Sequence, residues 1–327
     1  MASKKTQQVK QEVKSEIETK QDIPEKNNAS NIIEISLLGN SIFEAYGPNG
    51  NDETKLNANK TINLYLKQEV SKTPCFSKYN ILILYDSSTM VKSDADNIYS
   101  AITSFEEKKP LLLMLYSNGG VIGSAYLIGK LCREHSLGNF TITVPRHAKS
   151  AATLLCCAAD EIHMGSLSEL GPIDPQINNL PALGLKNSIE HIAQLVKETP
   201  ESAEMFARYL NYSLKPIDLG YYERVAESAT QYAIKLLETH SQNLPSNPAK
   251  IAYGLVYTYK DHGFVIDKSE ATNIFGNKIV KTDTEEYVLG NSLYKALNLI
   301  QTWAGILNYN FYFIGSLDSE PNLRKRR

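Results

Sequence analysis

Cysteine and tryptophan are scarce in this chain: four cysteines and one tryptophan among 327 residues. So few cysteines (Cys75, Cys132, Cys156, Cys157) build no disulfide framework, and no pair has the C-x-x-C spacing of a zinc or thiol-redox site. Cys156 and Cys157 adjoin inside an apolar segment, where a free thiol behaves as a small hydrophobe. A reducing, cytoplasmic compartment is the expectation. No stretch approaches 18 apolar residues, so no membrane span is expected. Neither sign of charge prevails, with 34 Lys+Arg against 36 Asp+Glu and a net charge of −2. That balance offers no footprint for nucleic acid or an anionic membrane. The basic end Arg324-Lys325-Arg326-Arg327 reads as a solvated terminus. Metal-ligand spacing is missing, and so is a glycine-rich loop that opens a helix with Lys and Ser/Thr behind it. The expectation is no metal and no other cofactor.

What is present is a core. Hydrophobic residues make up 42% of the chain, enough for one large or two moderate domains. Residues 1–30 are rich in Lys, Glu and Gln without an apolar h-region, so they read as a disordered segment and not a secretory signal. Residues 31–180 alternate strand and helix. Expected strands are Asn80–Tyr85, Pro110–Tyr116, Asn139–Val144 and Glu161–Met164; expected helices are Ser93–Glu107, Val121–His135 and Ser150–Ala159. Three such crossings imply an α/β fold with a largely parallel sheet. Residues 181–327 read as a mainly helical region. In it, Asn187 and Glu190 form a capping box, Lys260–Asp267 is a loop with a short strand, and Glu285–Ile306 is a helix interrupted near Gly290.

Two stretches carry the chemistry. Tyr116-Ser117-Asn118-Gly119-Gly120 places two glycines just past a strand, where unblocked backbone N–H groups can form an oxyanion hole. His147-Ala148-Lys149-Ser150-Ala151-Ala152 places a serine just past the next strand, at the start of a helix and at the positive end of its dipole. Alone, Ser150 reads as an N-cap and Gly119-Gly120 as a turn. Parallel α/β sheets bind ligands at the carboxyl ends of their strands. There the two loops can supply a nucleophile and its oxyanion donors.

Four segments match, in order, the Clp/crotonase-fold serine peptidases. They are Ser117-Asn118-Gly119-Gly120, Ala148-Lys149-Ser150-Ala151-Ala152, Ala158-Ala159-Asp160-Glu161-Ile162-His163-Met164-Gly165 and Ser168-Glu169-Leu170-Gly171-Pro172-Ile173-Asp174-Pro175-Gln176. The chain most resembles the serine dehydrogenase proteinase family, and more distantly signal peptide peptidase A, the NfeD-type proteases and ClpP. A looser similarity runs through Tyr221-Tyr222-Glu223-Arg224 and Asp261-His262-Gly263-Phe264-Val265-Ile266-Asp267. The resemblance implies a Clp/crotonase-like catalytic core, a Ser150 nucleophile, an oxyanion hole from Gly119, Gly120 and Ala151, and a peptide or protein substrate. Where relatives often carry a small residue before the serine and a glycine two after it, this chain has Lys149 and Ala152.

The general base is not explicit. ClpP-type enzymes carry a histidine some twenty-five residues after the nucleophile, and here that place is Pro172-Ile173-Asp174-Pro175. Resemblance to the Ser–Lys peptidases implies Lys186, read as lying just before a helix; a lysine base must be kept neutral by burial or nearby positive charge. Lys149, His147 and His191 are alternatives. His163 reads as structural, Asp160 and Glu161 as loop anchors, and Asp174 as a turn or substrate-groove residue. Two other functions share the fold: a non-catalytic oligomeric scaffold, and a crotonase-type enzyme acting on acyl-CoA thioesters. Nineteen tyrosines, several in the helical half, fit a homo-oligomer.

Overall fold

The computed structural model describes residues 32–177, 180–213 and 216–326; the expectation for residues 1–30 lies outside them. Strand β1 (Asn80–Asp86) shows why a sheet forms at the centre. Its apolar run is buried on both faces: Leu82 and Leu84 point into one core, while Ile81, Ile83 and Tyr85 point into a second. Strand β2 (Leu111–Ser117) repeats the division, with Leu111, Leu113 and Leu115 on the first side and Leu112 and Met114 on the second. Period-two geometry thus turns a continuous apolar run into two cores, one per face.

Strands β3 (Phe140–Val144) and β5 (Glu161–Met164) extend the parallel sheet beyond β2. Helices α3 (Lys92–Thr103), α4 (Ile122–His135) and α5 (Ala151–Cys156) connect successive strands and line the first core. The second core is closed by α1 (Ile35–Tyr46), α2 (Asp52–Ser71) and α11 (Glu285–Ile306). Residues 35–71 therefore form two helices, in a stretch where strand–helix alternation was expected to begin.

The later part of the chain is largely helical, with α6 (Ala182–Glu198), α7 (Ala203–Ser213), α8 (Pro216–Leu237), α9 (Pro248–Tyr253) and α10 (Lys268–Phe275) before α11. It also returns to the sheet. Strand β10 (Val280–Thr282) pairs in parallel with β5 at one edge. At the other edge β11 (Tyr309–Ser316) runs antiparallel to β1 and is covered by β12 (Asn322–Lys325).

Helix α11 is continuous through Gly290, where an interruption was expected. A Cβ there would lie 2.5 Å from Thr143 Cγ2, so the glycine lets the helix press against β3. Helix α8 lies on α4 and α5 along buried Ala226, Ala229 and Ala233, and this places its first half over the carboxyl ends of the strands.

Candidate active site

A second, smaller ladder sits past the ends of the main strands. Ser117, the last residue of β2, pairs with Ala148 of β4 (His147–Ala148). Beyond it follow β6 (Glu169–Leu170), parallel to β4, and β9 (Ile266–Asp267), antiparallel to β6. Each short strand feeds directly into a loop of the site. The ladder is the device that gathers residues from positions 117, 148, 170 and 266.

The first consequence is that Gly119-Gly120 and Ser150 touch. The Lys149 N–H donates to Ser117 O at 3.0 Å. A Cβ on Gly119 would fall 2.5 Å from Lys149 O, 2.9 Å from Ala151 N and 3.0 Å from Ser150 Cβ, and its φ is +93°. Only glycine meets both demands. The loop is pinned from its other side: Met90 N–H donates to Gly119 O at 2.8 Å, and Val121 N–H to Met90 O at 2.9 Å. The Gly119 N–H donates to Ser117 Oγ at 3.1 Å. Among the described residues nothing accepts from the N–H groups of Gly120 and Ala151. Of the three expected oxyanion residues, these two carry open donors, while Gly119 provides the close approach.

Ser150 is at φ +52° and ψ −117°, which strains a residue with a side chain by about 1–3 kcal/mol. It occupies the N-cap position of α5, yet its side chain makes no capping bond. A serine retained only as a helix cap would use that oxygen. Here the hydroxyl is left for the cavity it lines. Helix α5 is short, so alignment of the hydroxyl matters more than a macrodipole.

The cavity has a volume of about 1480 Å³. Its lining includes Asn118–Gly123 and Ser150, residues Tyr221, Arg224, Val225, Ser228 and Tyr232 of α8, and Pro175, Gln176 and His262. Arg224 adds a positive charge, and the tyrosines add flat apolar area.

The loops after β6 and before β9 meet at Gln176 and His262, which both line this cavity. Asp174 is buried, and its Oδ2 accepts from Gln176 Nε2 at 2.8 Å. Its Oδ1 is buried with no hydrogen-bond partner among the described residues. An unmet buried acceptor of this kind costs about 1–3 kcal/mol. His262 Nδ1 lies 3.7 Å from Asp174 Oδ2 and 3.1 Å from Gln176 Nε2. Asp174 is thus a buried loop residue that holds Gln176, which itself lines the cavity. His262 was named only within the looser resemblance; the signal for it, Asp261-His262-Gly263, carries no chemistry until β9 is paired.

The proposed bases scatter. Lys186 is the fifth residue of α6, inside the helix and not before it, since α6 starts at Ala182 and Asn187 is no N-cap. Its side chain lies outside the described part of the structure. Lys149 turns away from Ser150: its Nζ donates to Leu170 O at 3.2 Å and Phe264 O at 3.3 Å, and lies 3.3 Å from Glu169 Oε2. With its Nζ held by two carbonyls and a carboxylate, Lys149 is a clamp between loops that faces away from the Ser150 hydroxyl. His147 packs against Tyr116 with the rings tilted by 46° and their centroids 4.4 Å apart; burial lowers its pKa, and it is not part of the cavity lining. His191 is exposed on α6.

Residues outside the site have structural partners. His163 is buried at 2.7 Å from Thr284 Oγ1 and 3.3 Å from Glu161 Oε2, and that hydrogen bond holds the Glu161 carboxyl below its usual range. Asp160 pairs with Arg133 at 2.9 Å and accepts from Phe140 N–H at 2.8 Å, anchoring the start of β3. All four cysteines are free and buried; burial pushes the Cys75 thiol up to about 11 and the Cys157 thiol to about 12. Among the described residues, no three His, Cys, Asp or Glu converge as metal ligands. Likewise, no helix there is long and apolar enough to cross a membrane.

A parallel sheet with a short cross-ladder, an uncapped serine on a strained turn and two open N–H donors beside it define a ClpP-like α/β fold. Residues 81–200 match the family model of the ClpP-like SDH-type serine proteinases. Two curated relatives come from Methanocaldococcus jannaschii. Uncharacterized protein MJ0137 is 34% identical over 97 residues, covering 30% of this chain and 34% of the relative. Uncharacterized protein MJ1495 is 34% identical over 92 residues, covering 28% and 31%. The matched stretch therefore spans about a third of each relative. Among solved structures, the chain is similar to a Ser-to-Ala variant of the 1510-N membrane-bound stomatin-specific protease, with TM-score 0.40 and 15% identity over 68% of this chain and 86% of that one. A Lys-to-Ala variant of the same protease, in complex with a substrate peptide, gives TM-score 0.41 and 13% identity over 76% and 89%.

Proposed function

We propose that this protein is a serine peptidase that works through a Ser150 acyl-enzyme. The observation that carries the reading is the contact between the two loops: an unengaged Ser150 hydroxyl beside the open N–H groups of Gly120 and Ala151. In the reaction, Ser150 Oγ attacks the scissile carbonyl carbon and its proton passes to a base. The carbonyl oxygen, now negative, is held by the two N–H groups. Collapse breaks the C–N bond as the base returns the proton to the leaving amine. Water then hydrolyses the acyl-enzyme by the same steps. The cavity of about 1480 Å³ lined by residues 118–123 and α8 has room for a peptide, with Tyr221 and Tyr232 offering area to apolar side chains.

For the base, the resemblance offers Lys186 in a Ser–Lys dyad, and the cavity itself offers His262. The two bases are told apart by which variant, Lys186→Met or His262→Ala, loses hydrolysis. The free, buried thiols support placing the protein in a reducing, cytoplasmic setting. Exposed Tyr209, Tyr212 and Tyr221 support a homo-oligomer, which a monomer mass by light scattering at micromolar concentration would overturn.

The test is fluorophosphonate labelling mapped by mass spectrometry, with peptide hydrolysis by Ser150→Ala. Label on Ser150, and a loss on the order of 10⁴-fold or more in the variant, is the expected result. Wild-type hydrolysis surviving in Ser150→Ala overturns the reading. Binding of acyl-CoA thioesters without peptide cleavage would instead favour the crotonase-type enzyme, and neither activity the scaffold.

A further inference from the structure

We propose that His262 is the group that takes the Ser150 proton and that Asp174, with Gln176 beside it, is the positioning residue for its imidazole. The proposal rests on the peptidase reading of Ser150. It starts from placement. Strands β4, β6 and β9 are neighbours in one ladder, so the residue after β4, the loop after β6 and the loop before β9 converge. Ser150, Gln176 and His262 line one cavity. Lys149 ties the arrangement together, since its ammonium holds Leu170 O and Phe264 O, one on each of the two loops. The histidine loop is thus fastened to the residue that precedes the nucleophile.

Asp174 supplies the second argument. Its carboxylate is buried, yet Oδ1 has no hydrogen-bond partner among the described residues, and His262 Nδ1 is already 3.7 Å from Oδ2. In the structure Gln176 Nε2–H donates to His262 Nδ1 at 3.1 Å, so the base form requires the imidazole to exchange this bond for one in which Nδ1–H donates to the Asp174 carboxylate and Nε2 is left as the acceptor. Gln176 Nε2 donates to Asp174 Oδ2 at 2.8 Å, which fixes the carboxylate plane while leaving Oδ1 open. Such hydrogen bonds are commonly long before substrate is seated and tighten in the complex.

The proton balance is simple. The Ser150 Oγ–H bond breaks as the Oγ–C bond to the substrate forms, and the proton moves to His262 Nε2. The imidazolium, paired with Asp174, delivers that proton to the amine nitrogen as the C–N bond breaks. Water loses its proton to the same nitrogen in deacylation. Charged groups around the imidazole are Asp174 from the β6 loop, Asp261 on its own loop (its Oδ1 held by Gly263 N–H), Arg224 in the cavity lining and Lys149 clamped behind.

The experiment compares His262→Ala, Asp174→Asn and Lys186→Met in the full chain, with circular dichroism as a folding control. Expected is a loss of 10²–10⁴ in kcat for His262→Ala with KM little changed, and partial rescue by added imidazole, which no structural role produces. Asp174→Asn should lower kcat in the same range. Should His262→Ala fail to fold, His262→Gln read by the rate of fluorophosphonate labelling gives the same answer. Labelled, active wild type with unaffected His262 variants, or activity lost only in Lys186→Met, overturns the His262 assignment and leaves the peptidase reading standing. Absence of any Ser150 labelling in wild type sinks that reading first.

Discussion

Replacing Gly119 with alanine separates the geometry of the oxyanion loop from the strain of its backbone. The new Cβ would sit 2.5 Å from Lys149 O and 2.9 Å from Ala151 N, both backbone atoms that cannot swing aside. Ordinary contact begins near 3.4 Å, so the loops must part by about 0.9 Å. A side chain at φ +93° adds roughly 1–2 kcal/mol. Gly138 is the internal control: its φ is +88°, but a Cβ there meets nothing within 4 Å. Gly138→Ala should therefore cost about 1 kcal/mol and leave catalysis unchanged. Gly119→Ala should cost about 2–4 kcal/mol, lowering Tm by roughly 4–16 °C at 2–4 °C per kcal/mol. It should also reduce kcat on peptides about 10²-fold, since a displacement near 1 Å at the reacting centre has that effect. Differential scanning calorimetry and steady-state kinetics on both variants measure the two quantities. Wild-type kcat in a folded Gly119→Ala protein would refute the contact between the two loops as the source of catalysis.

Three further outcomes are expected. Ser150→Gly should melt higher than Ser150→Ala by up to about 2–12 °C, because glycine relaxes the +52° φ that alanine must keep; equal or reversed melting points would remove the strain argument. Gly290→Ala drives a methyl against Thr143 and should destabilise the fold by about 1–3 kcal/mol in urea titration, while the folded fraction still labels at Ser150 normally. His240 is buried, and its pKa is lowered to about 4, chiefly by burial and then by Arg133. The unfolded chain binds this proton near pH 6.5 and the native state near 4, so the neutral form's stability is fully present above 6.5 and is lost as pH falls to 4. That amounts to about 3 kcal/mol, read as the difference in urea midpoints between wild type and His240→Gln across this range; a pH-independent difference would contradict it.

Much of this molecule was legible locally. The runs of β1, β2 and β3 announce buried strands because contiguous apolar residues leave no solvent face. Gly119-Gly120 and Ser150 stand out because each follows such a strand and because chemistry limits what glycine pairs and serines do there. Residues 35–71 were misread because α1 and α2 are helices that close the second core, a fact set by β1 and α11. Gly290 looked like a break, and only the position of Thr143 shows it to be a point of close approach.

The placement of Ser150 beside Gly119-Gly120 was thus within reach of the sequence alone, since each depends on a strand end and the few residues after it. Which basic group stands near them was not. His262 comes to the cavity through the pairing of β6 with β9, and Lys149 turns its ammonium to two carbonyls on neighbouring loops instead of to the serine beside it. Local pattern encodes what a segment buries and where it turns. Proximity across a ladder depends on strand register between distant segments, and that only the tertiary structure decides.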